Sequence, residues 1–276
     1  QIRGAFGQYV SPDLVAALAE NPEQLQLGGE RRELSILFTD VRGFTTISES
    51  FKEDPTGLTT LMNRFLTVMS DAIMIKGGTI DKFMGDAIMA FWNAPLDEKD
   101  HARLSCASAL LMLRDIDNLN AQQAEETGGK AVSIDIGIGI NTGDAVVGNM
   151  GSDKRFDYSA LGDPVNLASR LEGQTKSYGV DIIIGATTRN LVERDYAVIE
   201  LDLIQVKGKL LPEHIYALMG DEAVKNTPEF ANLVVANEAM IETYRSQNWE
   251  AALEAAKGVR AAGIELSIDL EFYASL

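Results

Sequence analysis

A β-hairpin is the feature of this sequence that most constrains its fold. The apolar segments Thr79–Phe83 and Ala87–Trp92 flank a tight turn at Gly85-Asp86. This pattern is typical of two antiparallel strands joined by a two-residue loop. Because an isolated hairpin is only marginally stable in water, we expect further strands and helices to cover it.

Segments with strand and helix patterns alternate on both sides of the hairpin. Glu33–Val41 has the apolar run of a buried strand, whereas Leu58–Ile75 and Asp97–Glu126 have helical periodicity. Further strands are predicted at Val132–Asn141, Ala145–Gly148, Val180–Ile184, Ala197–Val206 and His214–Leu218, and further helices at Val165–Tyr178 and Thr187–Glu193. The alternation predicts an α+β fold with helices packed on the sheet.

The charge of the chain restricts its partners. Its 276 residues are 46% hydrophobic, which suits a sizeable core, and its formal net charge is −17. So acidic a surface argues against nucleic acid or an anionic membrane as the main partner. Any polyanionic ligand would therefore need cations at its own site, from metal ions or from a few Lys and Arg side chains.

The ends of the chain differ from its middle. Ser11-Pro12-Asp13 is a good helix start, so residues 1–30 are predicted to form a helical lead-in. Residues 31–220 carry the strand and helix alternation, and residues 221–276 read as an Ala-rich helical extension. No apolar run is long enough to cross a bilayer. The first residue is Gln1 and not Met, which suggests a piece of a longer protein.

Two aspartates follow apolar strands. Asp40 ends the first strand and precedes a Gly turn, whose backbone N–H groups at a helix start could bind an anion. Asp86 occupies the hairpin tip. If these strands are neighbours, the two carboxylates approach each other and could hold two metal ions for phosphoryl chemistry. Each aspartate taken alone could equally be an ordinary capping or turn residue.

A third segment pairs an amide with a guanidinium. Asn166 and Arg170 lie four residues apart on a predicted helix and so share a face, which could hold a ribose and a phosphate or could simply be solvated. Asp81, Asp135 and Asp144 are expected to have turn or sheet-edge roles. The glycines of Gly137–Gly143 have the wrong spacing for a dinucleotide fingerprint.

The three segments Phe38–Thr45, Asp81–Asp86 and Tyr158–Arg170, in this order and spacing, resemble the class III adenylyl and guanylyl cyclases. The resemblance spans roughly Arg31–Leu218. It implies a ferredoxin-like βαββαβ cyclase homology domain with an antiparallel-rich sheet. It also implies an enzyme of second-messenger signalling that converts ATP to 3′,5′-cyclic AMP and pyrophosphate.

The resemblance implies roles for several residues of the three segments and for a few residues outside them. Asp40, Asp86 and the carbonyl of Val41 would bind two Mg²⁺ or Mn²⁺ ions in each active site. Asn166 would orient the ribose, and Arg170 would stabilise the transition state. The residues that would contact the phosphates are Gly43, Phe44, Thr45, Lys207 and either Lys154 or Arg155.

Lys82 and Ser159 are implied to recognise the base. A lysine donor and a hydroxyl acceptor match the ring nitrogen and the amino group of adenine, whereas guanylyl cyclases of the family usually carry Glu and Cys. Asp or Thr is the usual partner of the lysine, and Ser is a smaller hydroxyl of the Thr kind. The pair therefore favours ATP over GTP.

The family fold further implies a head-to-tail homodimer. The metal-binding aspartates would come from one subunit, and the base, ribose and transition-state residues from the other. An upstream sensor or membrane domain is expected in the parent protein, with the catalytic domain in the cytoplasm. Whether the parent is membrane-anchored stays open.

Three other functions are compatible with parts of this pattern. A guanylyl cyclase would differ in product, and a catalytically dead nucleotide-binding regulatory module would have lost a metal aspartate, Asn166 or Arg170. A palm-type nucleotidyl transferase shares the metal geometry, but the Asn166 helix and Lys82 speak against it.

Overall fold

The computed structural model of the chain describes residues 28–129, 131–152, 155–205 and 212–266. Most of the predicted lead-in, together with Lys154 and Lys207, lies outside these residues. The chain divides into two compact units, one formed by residues up to 136 and 142–166, the other by residues 137–141 and 167 onwards.

The first unit is built around a sheet with the strand order β2-β3-β1-β4. Its elements are β1 (Gly28–Val41), α1 (Phe44–Ser50), α2 (Pro55–Ile75), β2 (Thr79–Met84), β3 (Ala87–Trp92), α3 (His101–Thr127), part of β4 (Ile136–Ser152), and β5 (Arg155–Leu161). β1 and β2 are both antiparallel to β3, and β5 is antiparallel to β4. The connection of these elements follows the predicted βαββαβ order.

Helix α2 shows why the sequence folds this way locally. Asp54 caps the helix by accepting a hydrogen bond from the amide of Gly57 at 2.9 Å, and Pro55 takes the first helical position. Gly77, with a φ of 70°, follows the last turn. The buried face of the helix consists of Leu61, Phe65, Met69, Ala72 and Ile73.

The second unit has the strand order β4-β6-β8-β7. Its elements are most of α4 (Asp163–Tyr178), β6 (Ile182–Gly185), α5 (Ala186–Val192), β7 (Ala197–Ile204), β8 (Glu213–Gly220), α6 (Glu222–Lys225), α7 (Pro228–Arg245) and α8 (Trp249–Glu265). Leu233 of α7 and Val259 of α8 are buried in one core with Leu171 of α4 and the sheet residues Ile199 and Ile215. The C-terminal helices thus complete the apolar core of this unit.

The predicted α+β fold is confirmed, but one strand prediction is wrong and one strand was not predicted. The two strands predicted at Val132–Asn141 and Ala145–Gly148 are a single strand, because β4 runs unbroken from Ile136 to Ser152. Thr142 is buried there, and its hydroxyl shares a 2.7 Å hydrogen bond with that of Ser35 on β1. Strand β5 was not predicted, and it pairs with the C-terminal half of β4.

Across the described residues, none of the helices combines the length and apolarity needed to span a membrane.

Candidate active site

Strand pairing brings Asp40 and Asp86 together. Thr39 on β1 pairs with Ile88 on β3, so the end of β1 lies beside the tip of the β2–β3 hairpin. Met84 pairs with Ala87 across the two-residue turn, in which Gly85 has a φ of 72°. The carboxyl groups of Asp40 and Asp86 lie close enough to interact electrostatically. The amide of Val41 donates a hydrogen bond to Oδ1 of Asp40 at 2.9 Å, and it also lies near the carboxyl group of Asp86.

This contact has an electrostatic consequence. Partial burial, together with the hydrogen bond to Asp40 and its negative charge, raises the pKa of Asp86 to about 6. Two like charges held this close disfavour full ionisation of both, and a divalent cation between them would remove that penalty. The described residues contain no cluster of three or more His, Cys, Asp or Glu side chains suited to a metal. A metal here would therefore complete its oxygen shell with a backbone carbonyl, water or phosphate oxygens.

The turn after Asp40 leads into a short helix through a glycine. Gly43 is the N-cap of α1 with a φ of 65° and a ψ of 28°, a left-handed conformation that favours glycine. Within the described part of the chain, no side chain caps this helix start. The backbone amide of Arg42 donates a hydrogen bond to the carbonyl of Asp135 at 2.8 Å. Nε of the Arg42 side chain donates to the carbonyl of Ile136 at 3.2 Å. Arg42 thereby fastens the turn to the start of β4.

The two residues expected to recognise the base meet at a third, Asp81. The Ser159 hydroxyl donates to Oδ2 of Asp81 at 2.7 Å, and the Ala160 amide donates to the same oxygen at 3.2 Å. Nζ of Lys82 lies 3.3 Å from Oδ1. The Asp81 side chain is fully buried, whereas that of Lys82 is 45% exposed. Lys82 and Ser159 of one chain therefore belong to one cluster.

Asn166 and Arg170 lie one turn apart near the start of α4. Asn166 is exposed and Arg170 half-buried, whereas Leu167, Ala168 and Leu171 between and beside them are buried. The helix thus directs its apolar face into the protein and leaves the amide and the guanidinium on its outer face. Lys154 and Lys207 lie outside the described residues, as does the side chain of Arg155.

Sequence reasoning missed two residues of this region. Asp81 was expected to have only a turn or sheet-edge role, and Arg42 was given none. Both act through contacts with residues far along the chain, Ser159 for Asp81 and Asp135 for Arg42. Their only sequence signal was position, since each adjoins a residue assigned to the site.

Comparisons with known proteins show the family of this chain. Residues 29–220 match the family model described as the adenylate and guanylate cyclase catalytic domain. "Adenylate cyclase 1" of Rhizobium meliloti is 32% identical over 224 residues, covering 81% of this chain and 33% of its own length. The "Adenylate cyclase" of Anabaena cylindrica is 36% identical over 213 residues, covering 74% of this chain and 41% of that protein. The chain thus spans between a third and two-fifths of these relatives.

Two solved structures resemble the fold closely. The adenylyl cyclase CyaB from P. aeruginosa has a TM-score of 0.62 at 35% identity, with 70% of this chain and 96% of that chain covered. The guanylyl cyclase Cya2 has a TM-score of 0.64 at 36% identity, with 72% and 98% covered. With its βαββαβ core and the family match over most of its length, the chain belongs to the adenylate and guanylate cyclase catalytic domain family.

Proposed function

We propose that this chain is the catalytic domain of an adenylate cyclase that converts ATP to 3′,5′-cyclic AMP and pyrophosphate. The observation that carries the proposal is the contact between the Asp40 and Asp86 carboxyl groups at the ends of β1 and the hairpin. Such a pair has little structural purpose in an acidic protein but suits the binding of divalent cations.

Asp40, Asp86 and the carbonyl of Val41 would hold two Mg²⁺ or Mn²⁺ ions. When bound, the metals would lower the pKa of the ribose 3′-hydroxyl and offset the charge of the triphosphate. The protein residues would align the oxygen of this hydroxyl with the α-phosphorus. A bond forms between these two atoms, the bond from the α-phosphorus to the oxygen that leaves with pyrophosphate breaks, and the hydroxyl proton is lost to solvent.

The remaining residues would bind and orient the nucleotide. Asn166 would hold the ribose, and Arg170 would stabilise the negative charge that develops on the α-phosphoryl group. The backbone amides at Gly43, Phe44 and Thr45 would contact the phosphates, joined by Lys207 and by Lys154 or Arg155. Since α4 carries Asn166 and Arg170 on its outer face, they would serve the aspartates of a second copy in a homodimer with two equivalent sites.

Base choice separates this function from its nearest alternative, a guanylate cyclase. The similarity to the guanylyl cyclase Cya2 supports that alternative. Lys82 and Ser159 favour adenine, because the base offers a ring-nitrogen acceptor and an amino donor at that edge.

Product analysis tests the proposal. The purified chain is incubated separately with ATP and GTP in Mg²⁺ or Mn²⁺, and the products are identified by mass spectrometry. We expect cyclic AMP and pyrophosphate from ATP, with much slower turnover of GTP. Cyclic GMP as the main product would favour the alternative. No cyclic nucleotide from a folded dimer under either metal would contradict a cyclase function.

A further inference from the structure

The Asp81 carboxylate contacts both residues that are proposed to recognise the base, Ser159 and Lys82. We propose that Asp81 is a positioning residue for base specificity, which fixes the Ser159 hydroxyl as a hydrogen-bond acceptor and thereby selects adenine. This inference rests on the proposed function, since it assigns a role to a residue that acts through Ser159 and Lys82.

A β-bulge explains how Asp81 reaches both partners. On β2, Ile80 pairs with Ala90 and Lys82 pairs with the next residue of β3, Met89, so Asp81 is the extra residue of the strand. Neighbouring side chains of a regular strand point to opposite faces, but a bulge re-aims the extra residue. The irregularity allows the Asp81 carboxylate to contact Lys82, its own neighbour, as well as Ser159 on β5.

Burial makes the contact specific. The Asp81 side chain is fully buried, and a buried carboxylate is stable only where donors surround it. Oδ2 accepts from the Ser159 hydroxyl and the Ala160 amide. Oδ1 accepts no well-aligned hydrogen bond from the described residues and lies 3.3 Å from the Lys82 ammonium. The charge of Lys82 is thus the counterpart of the carboxylate.

The direction of the Ser159 hydrogen bond determines what its hydroxyl offers to a base. A hydroxyl has one proton to donate and lone pairs to accept with. Because the carboxylate accepts the proton, only lone pairs remain for another partner. The 6-amino group of adenine is a donor and matches them, whereas the 6-oxo group of guanine is an acceptor and would leave two acceptors facing each other. Sites built on such a polar match reject the mismatched analogue strongly.

The test compares nucleotide preference in four proteins: the wild type, D81N, S159A and the double variant D81N/S159A. The ratio of kcat/KM for ATP to that for GTP is measured at saturating Mn²⁺, with thermal melting to verify folding. The D81N side chain can take two orientations. In one, its NH₂ group faces the Lys82 ammonium, and in the other it donates a hydrogen bond to Ser159, so that the Ser159 hydroxyl becomes the acceptor of that bond and its proton is free for another partner. We expect D81N and S159A each to lower the ratio about tenfold or more.

Non-additivity distinguishes positioning from a general loss of structure. If Asp81 acts through Ser159, D81N adds little to the loss of preference already present in S159A. S159T keeps the hydroxyl and should keep the preference for ATP. D117N removes the same charge from an exposed position on α3 and should leave the ratio unchanged.

Each other outcome has a definite meaning. A folded D81N that retains the wild-type ratio, or whose effect adds fully to that of S159A, overturns the role of Asp81 and leaves the proposed cyclase function standing. A wild type without preference for ATP contradicts the proposed function itself. If D81N does not fold, the wild type is assayed with inosine triphosphate, which carries a 6-oxo group. Turnover about tenfold slower than with ATP supports an acceptor-only site, and equal turnover overturns it.

Discussion

Asp40 and Asp86 lie close enough for each carboxyl group to influence the ionisation of the other, although two helices and one strand separate the two residues along the chain. Burial and the proximity of Asp40 raise the pKa of Asp86 to about 6. The metal-free protein is therefore expected to retain a proton between the two groups in mildly acidic solution.

This shared proton predicts that metal binding depends on pH. A divalent ion must displace the proton, so the affinity for Mn²⁺ should rise about tenfold per pH unit below pH 6 and level off above it. Titration with Mn²⁺ from pH 5 to pH 8, followed by electron paramagnetic resonance, measures this slope. An affinity that stays constant between pH 5 and pH 7 would show that no proton is displaced.

The same pair predicts opposite effects of one substitution on stability and on activity. The raised pKa means that ionised Asp86 disfavours the folded state, a cost absent at low pH and present once the pH rises above about 6. D86N should therefore raise the melting temperature of the metal-free protein at pH 8 by a few degrees while abolishing turnover. D71N, an exposed change on α2, serves as the control and should alter neither quantity. A lower melting temperature for D86N at pH 8 would contradict the electrostatic account.

The left-handed conformation of Gly43 predicts a local cost of any side chain there. G43A should destabilise the protein by about 1 kcal/mol and lower kcat/KM roughly tenfold, since the first turn of α1 would shift from the phosphates. The matched control is G173A in α4, where an added Cβ meets nothing within 4 Å and the residue is exposed. That variant should gain about 0.5–1 kcal/mol by chemical denaturation. Equal effects of the two substitutions would contradict this reading of Gly43.

The C-terminal helices should contribute directly to the stability of the second unit. Leu233 on α7 is fully buried, so L233A should cost about 2–5 kcal/mol in urea denaturation. Leu253 on α8 is 56% exposed, and L253A should change stability by no more than about 0.5 kcal/mol. If L233A unfolded α7 and α8 in a separate, earlier transition, the helices would form a domain of their own.

Local features around the proposed site could be predicted from the sequence. Apolar runs and the Gly85-Asp86 turn predicted the strands, and Asp40 and Asp86 were expected to approach each other if these strands were neighbours. The pairing of β1 with β3 meets that condition. The outer face of α4 likewise follows from the spacing of Asn166 and Arg170.

Long-range contacts could not be predicted in the same way. Strands were predicted on either side of Thr142 to Asp144, but β4 runs through these residues, and Thr142 shares a hydrogen bond with Ser35 on β1. The bulge at Asp81 could not be predicted from the sequence either. It depends on the pairing of β2 with β3 and on the contact of Asp81 with Ser159 on β5. The proposed division into a lead-in, residues 31–220 and an extension from residue 221 stays a prediction.

Mixing two inactive variants tests the central claim most directly. D40N removes a proposed metal ligand and R170A the proposed transition-state contact, and each alone should lose activity about a hundredfold or more. In a mixed dimer, one of the two sites would combine an intact Asp40 with an intact Arg170. Random mixing should therefore restore about a quarter of wild-type activity, with mixed dimers verified by native mass spectrometry. If mixed dimers form and the mixture stays as inactive as its components, the aspartates and Arg170 do not meet across a homodimer interface.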